Sequence, residues 1–421
     1  MIISISKSKL ILLVFIAFMG AETVQAGMFS KTSSGRSVRE FDVSPKHDGK
    51  TNARNLQKAI DWASQYGAEL YLEPSDEPYE MASGIILKRN VSIVGANGAT
   101  ARGTKHQTKK SPVGSVFKIV DADHPFITVE SATKLSGIQF WYAHQELKDS
   151  SKVIAYPATI QVSKTSNTEG VTLSYLTFYG EYLAMDFNAS AQRPCESMII
   201  QHCYGYPLGG EFIRIDYCYD IPRILHCHVN PANMRQIGLS FSKEVIDATV
   251  NKRTFTFAID HTDNAQLIDL FTFAAHGGIL LGAESYGQLT NFNLDCVRVG
   301  VHKLGNNTFN RNWQIAQGSI IANAGTNKNE LHPFVIEGQG HTAISNVEAF
   351  SGPNTALTNV ATSTDFMLVK GSKRLTISLV GCRMRNYLSE KPLTIENPKA
   401  LIQVVACVDK NEALYNEIVN P

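Results

Sequence analysis

From Ser136 to Val408, short runs of apolar, β-forming residues are broken by Gly, Asn, Asp or His, and the phrase recurs at a near-constant interval. Gln266-Leu267-Ile268-Asp269-Leu270, ending near Gly278, is echoed by Gln288-Leu289-Thr290-Asn291-Phe292, ending near Gly300. The offset of roughly 22 residues lies in the range of solenoid repeats. His202-Cys203 and His226-Cys227 repeat at roughly 24 residues, with looser echoes at Trp313 to Ile321, His341 to Phe350, Arg374 to Met384 and Ala400 to Val408. A strand that returns to the same place after each turn pairs in parallel with the strand one turn earlier. The pattern therefore predicts an all-β fold, a parallel β-helix.

Ahead of this coil the period changes. Asp48-Gly49-Lys50-Thr51 reads as a turn with Asn52 as N-cap. Leu56, Ala59, Ile60 and Ala63 then recur at helical spacing, which predicts a helix from Ala53 to Tyr66 stopped by Gly67. Short strands follow at Leu70 to Leu72, Ile85 to Leu87 and Val91 to Gly95. The first rung of a β-helix has an open core and an unpaired edge, so an amphipathic helix laid across it is expected as a cap. The reading divides the chain into a leader at 1–26, a cap at 27–83 and a coil at 84–421.

Composition agrees with one elongated body. Hydrophobic residues are 43% and charged residues 18% of 421, enough apolar material for a continuous core, and a solenoid grows by adding turns. A net charge of +1 gives no global field for nucleic acid, so an acidic ligand has to be met by local cations. Lys7 and Lys9 before the apolar run Leu10 to Met19, and the small residues around Val24-Gln25-Ala26, predict a signal peptide cleaved before Gly27. The expected location is outside the cytoplasm, secreted, periplasmic or extracellular, with no later membrane span. Seven cysteines are too few for a disulfide scaffold, and their odd number leaves at least one thiol unpaired in a monomer. Asn90, Asn188 and Asn306 begin Asn-x-Ser/Thr sequons.

The order Asp48-Gly49-x-Thr51, helix with Ala59-Ile60, Gly67, strand, Pro74, Tyr79 and Asn90-Val91-Ser92-Ile93-Val94-Gly95 resembles the N-terminal module of the pectate lyase superfamily, the group with rhamnogalacturonase and epimerase-like pectate lyase domains. The motif match covers Asp42 to Gly98. The resemblance implies a right-handed coil that binds acidic polysaccharide in a groove along its side. Asn52 and Ala53 stand where that family usually has an Asp pair. The Asn-Thr-Asp, Asp-Asp, Gly-His-Gly and Arg-Ile-Lys set of polygalacturonases is missing, and Gly340-His341 is its nearest fragment.

Residues one repeat apart become neighbours at about 4.8 Å. Overlaying the two clearest repeats turns Leu270, Thr272 and Ala274 inward above Phe292, Leu294 and Cys296. Asp269 then lies outward beside Asn291, and Asp295 beside Phe273. His276 falls beside Arg298, with His302 and Lys303 opposite Leu280 and Leu281. His276, Arg298, His302, Lys303, Asp269 and Asp295 are thus the candidate catalytic residues. Elimination from a uronate needs a base for the proton next to the carboxyl group and a cation for the charge that develops there.

Two further sets compete. Asp260-His261-Thr262-Asp263 with Glu284 suits a calcium site or an acid–base pair, and equally suits turn formation. His202, Cys203, Cys227 and His228 have residue types that suit zinc, but read more simply as a stacked ladder with the cysteines inward and reduced. Trp141-Tyr142, Tyr179 to Tyr182, Tyr204 to Tyr206 and Tyr217 to Tyr219 offer rings either to sugars or to the core. The expected activity is a lyase, or an epimerase using the same proton abstraction, on an acidic polysaccharide. The alternatives are a glycoside hydrolase on the same fold and a β-helix that binds glycan without catalysis. No cofactor is required beyond a possible calcium ion.

Overall fold

The computed structural model describes residues 35–98, 110–305, 312–350 and 356–420. The leader and Asn306 lie outside them. Three parallel ladders wind around one apolar core. The first face runs from Ile85–Leu87 through Ile160–Val162, Met185–Asn188, Ile213–Asp216, Phe255–Ile259 and the ends of Phe271–Leu281 and Asn293–Lys303 to Leu393–Ile395. The second begins at Gly35–Ser37 against Glu69–Leu72, so its ladder already starts within the N-terminal segment. The third begins at Tyr79–Met81 and includes Thr177–Tyr179, Tyr204–Gly205, His228–Val229 and the start of Phe271–Leu281.

The overlay of repeats predicted from sequence is the observed register. Gln266 pairs with Gln288, Thr272 with Leu294, Phe273 with Asp295 and Leu280 with His302. Leu270, Thr272, Ala274, Phe292, Leu294 and Cys296 are all buried.

The polar breaks in the sequence pattern mark the corner between the second and third faces. There a single left-handed residue turns the chain on each rung: Tyr175, His202, His226, Asp269, Asn291, Gln317, Asn346 and Ala406 have positive φ, as do Gly137 and Gly381 at the same register. Gly, Asn, Asp and His tolerate this conformation best, which is why the strands break on those residues.

Helix α1, Gly49–Tyr66, covers the open end of the core, with Leu56, Ala59, Ile60 and Ala63 fully buried. Its N-cap is Asp48, which accepts from the Thr51 N–H. Asn52, expected to cap the helix, instead lies buried inside it. Its amide donates to the carbonyls of Ser44 and Glu80 at 2.8 and 2.9 Å, tying the helix to the chain on both sides. Helix α2, Lys243–Val250, and the 3-10 segment Pro231–Ile237 form an insertion between the third and first faces. At the far end Leu414–Val419 closes the coil by pairing antiparallel with Ala400–Val408.

Candidate active site

The six residues picked from the repeat do not form one group. His276 and His302 flank Phe255, whose ring lies 5.8 Å from each imidazole, and Arg298 lies beside His276 one rung on. Arg298 is already engaged: its Nε donates to the Ala324 carbonyl at 2.9 Å, and its guanidinium also meets the Asn251 side chain and, at 3.5 Å, Glu330. Burial, then the nearby Arg298 and Arg253, push His276 down to about 4, so its ring is neutral near pH 7. His302 faces Glu337 at 2.8 Å.

Lys303 departs from the expected grouping. Successive strand residues point to opposite faces, so His302 outward means Lys303 inward. Lys303 is 1% exposed, and its Nζ reaches the Glu337 carbonyl at 3.2 Å. Burial lowers its pKa to about 8. Asp269 sits at the left-handed corner, 2.8 Å from His226 Nδ1. Asp295 lines a separate cleft with Phe271 and Phe273.

A different cluster forms on the first face, where strands Met185–Asn188, Ile213–Asp216 and Phe255–Ile259 stack. Asp186 and Arg214 are rung neighbours and pair at 2.9 Å, with Glu211 at 3.5 Å from the same guanidinium. Further along these strands Asp216 Oδ1 lies 2.7 Å from His261 Nδ1, and the Tyr217 ring stacks on His261 at 4.1 Å. Asp260 Oδ1 accepts the backbone N–H groups of His261 and Glu284, both at 2.9 Å. One atom each of Asp216, Asp260 and His261 lie within 4.8 Å of one another. Burial raises the pKa of Asp216, the His261 contact opposes that shift, and the Asp260 charge adds to it. Gly282 keeps space on the next rung, since a Cβ there would stand 2.3 Å from the Asp260 carboxyl carbon.

The sequence reading reached part of this site. Asp260 and His261 are in it, but Asp263 turns away to accept from the Ile221 N–H at 3.4 Å, and Glu284 contributes its backbone. Asp216 went unnoticed because the insertion 231–250 separates it from Asp260 by about twice the usual repeat, and reading the register across that insertion brings the two together. Asp186, Glu211 and Arg214 precede the insertion, on strands outside the two clearest repeats.

Among the described residues, Asp216, Asp260 and His261 are the grouping with spacing suited to a metal ion. Its mixed carboxylate and imidazole set suits a transition metal better than calcium, which prefers oxygen ligands alone. The His-Cys repeat forms a ladder: Cys203 and Cys227 are buried and free, and the rings of His202 and His226 stack outside at 4.7 Å. Of the tyrosines, Tyr142, Tyr179 and Tyr206 belong to the core.

No protein-family model and no curated relative matches the chain in sequence. Among solved structures, the DFA-IIIase of Arthrobacter chlorophenolicus A6, solved without its lid in complex with GF2, is 12% identical with a TM-score of 0.55, and 91% of this chain aligns with 97% of it. The exopolygalacturonase of Thermotoga maritima is 9% identical with a TM-score of 0.50, over 92% of this chain and 94% of that one. The mannuronan C-5 epimerase AlgE6 A-module of Azotobacter vinelandii is 13% identical with a TM-score of 0.43, over 89% and 99%. With its three parallel ladders and its helix-capped end, the chain has the right-handed parallel β-helix fold that it shares with the first two of these structures.

Proposed function

We propose that the protein is a glycan-acting hydrolase whose acid–base pair is Asp216 and Asp260 on the first face. The observation that carries this reading is the approach of the two side chains to within 4.8 Å, with burial favouring a proton on Asp216. Glycosidase carboxyl pairs stand about 5–5.5 Å apart in retaining and about 6.5–9.5 Å apart in inverting enzymes, and for this pair, one oxygen of each lying within 4.8 Å, the reading adopts the retaining course. Asp216 donates its proton to the glycosidic oxygen as the bond to the anomeric carbon breaks. Asp260, oriented by the N–H groups of His261 and Glu284, attacks that carbon and forms an ester. Asp216 then takes a proton from water, whose oxygen displaces Asp260 and completes hydrolysis. His261 fixes the Asp216 carboxyl through Nδ1.

The names of two solved neighbours, DFA-IIIase and exopolygalacturonase, fit carbohydrate chemistry on this coil, although a shared fold does not by itself assign a reaction. Elimination has less support. It would use the group around His276, where the Arg298 guanidinium already bonds Asn251, Ala324 and Glu330. The leader read at 1–26 supports action outside the cytoplasm, and no described helix is long and apolar enough to cross a membrane.

The test is incubation with uronate and neutral polysaccharides, following new reducing ends and ultraviolet absorbance together. Hydrolysis gives reducing ends without absorbance and is lost in Asp216→Asn and Asp260→Asn. An unsaturated product overturns the reading in favour of elimination, and absence of cleavage across the panel leaves the glycan-binding alternative.

A further inference from the structure

The far end of the coil stops on an open strand. Leu414–Val419 pairs antiparallel with Ala400–Val408, and among the described residues its other edge has no partner strand. Such an edge presents backbone N–H and C=O groups ready to pair, and natural edges are usually blunted by outward charges or proline. Here the alternation runs the other way. Tyr415, Glu417 and Val419 share the inner side with Cys407, Val404 and Ile402, while Leu414, Asn416 and Ile418 face solvent. Leu414 is 70% exposed and Ile418 66%. Glu417, the one charged residue of the strand, is on the inner side and already meets Lys391 at 2.7 Å. The register shift between Val404 and Cys407 puts the bulge in the inner strand, so the edge strand itself is regular.

The surface around this edge is apolar. Of the twelve large hydrophobic side chains exposed among the described residues, Val380, Leu388, Ile395, Val405, Leu414 and Ile418 all fall between residues 380 and 418. Val380 and Val405 are rung neighbours on the second face, and Ile418 continues that face beside Gln403. The terminal turn of a solenoid ordinarily carries a polar outer face for solubility, and a gathered apolar patch marks a contact surface instead.

The strand is complementary to itself. When two identical strands pair antiparallel about a twofold axis, residue i of one meets residue j of the other, and j meets i. With Asn416 on the axis, Leu414 of each copy lies opposite Ile418 of the other, so the two most exposed apolar residues of the strand cover each other. The same register sets Tyr415 opposite Glu417 on the inner side, a hydroxyl donor against a carboxylate acceptor, the combination that also occurs within each chain. Other registers that keep the outward residues together are poorer. An axis through Glu417 opposes two carboxylates, which is destabilising, and one through Tyr415 sets Leu414 against Asn416.

We propose that the protein forms a tail-to-tail homodimer in which Leu414–Val419 of two copies pair antiparallel about Asn416, continuing the second face as one sheet from coil to coil. The Asp216 and Asp260 pair lies on earlier rungs of the first face, and the dimer does not depend on the hydrolytic assignment.

The experiment is sedimentation equilibrium of the full chain over a range of concentrations. Wild type is expected to show twice the monomer mass, because a twofold pairing of edges closes at two copies. Leu414→Lys/Ile418→Lys sets like charges opposite each other and is expected to weaken the dimer by at least about a hundredfold. Leu414→Lys/Ile418→Glu sets opposite charges across the same axis and is expected to dimerise about tenfold more tightly than the like-charged variant. Both side chains are exposed, so the variants keep the core intact, and unchanged denaturant midpoints check that they fold. A wild type that stays monomeric throughout, an assembly larger than a dimer, or equal dissociation constants in the two variants overturns the proposal.

Discussion

Oδ1 of Asp216 lies 2.7 Å from Nδ1 of His261 across 45 residues of sequence. The coil places the two on neighbouring rungs, with Asp260 completing the group. If Asp216 is the acid, its loss removes the proton given to the leaving oxygen. Asp216→Asn is expected to lower turnover by about 10²–10⁴ with little change in KM. The pH profile gives a second readout: because the Asp216 pKa is raised, activity persists above the ordinary carboxylate range and declines as pH rises through the raised value. A wild-type alkaline limb in Asp216→Asn would exclude Asp216 as its source.

Arg298 behaves in the structure as a fastener between the insertion and the coil. It joins Asn251, at the C-terminus of α2, to the Ala324 carbonyl and Glu330, and its side chain is only 15% exposed. Arg298→Ala is expected to destabilise by about 2–4 kcal/mol, as loss of a largely buried charged partner does. Turnover of the remaining folded protein is expected to stay within about threefold of wild type. Denaturant unfolding and active-site-normalised kinetics separate the two effects. Unchanged stability with a collapse in turnover would return Arg298 to the catalytic machinery.

The coil was legible because its apolar period and its polar corners report two different physical constraints. Leu270, Thr272 and Ala274 alternate inward as strand geometry requires, and Asp269 and Asn291 mark a corner whose φ of 55° suits those residue types. The site was less legible because a functional surface depends on which way a side chain points and on rungs interrupted by insertions. Lys303 sits next to outward-facing His302 in sequence and therefore turns into the core. Asp216 and Asp260 meet only after the chain has traversed the insertion at 231–250. Asn52 was misread because a short polar residue near a helix start suits both a cap and a buried tie, and only the positions of Ser44 and Glu80 decide between them.

The cap can be tested independently of function. Ile60 is fully buried on the face of α1 that closes the core. Ile60→Asp introduces a charge without a partner there and is expected to cost on the order of 3–5 kcal/mol. A shift of the denaturant midpoint measures it. A stability equal to wild type would mean that the helix is dispensable to the coil.

Export has a direct measurement. Protein recovered from outside the cytoplasm is expected to begin at Gly27, because Val24-Gln25-Ala26 offers the small residues that a signal peptidase reads. N-terminal sequencing decides the matter, and an intact Met1 rules out cleavage at this site.

Glu181 links the fold to pH. It is fully buried, one oxygen accepts the Tyr206 N–H at 2.6 Å, and burial raises its pKa to about 8. The chain fits closely around it, since a Cβ on Gly205 would lie 2.4 Å from that oxygen. A carboxyl group with a folded pKa above its unfolded value binds its proton more tightly in the native state. Its contribution is therefore complete below the ordinary value of 4.5 and is lost as pH rises toward about 8. Across that window stability is expected to fall by up to about 1.4 kcal/mol per pH unit from this group. Glu181→Gln keeps an acceptor for Tyr206 and removes the titration, so its unfolding free energy should change less with pH and exceed wild type near pH 9. Parallel pH slopes for the two proteins would show that Glu181 does not change its protonation on unfolding.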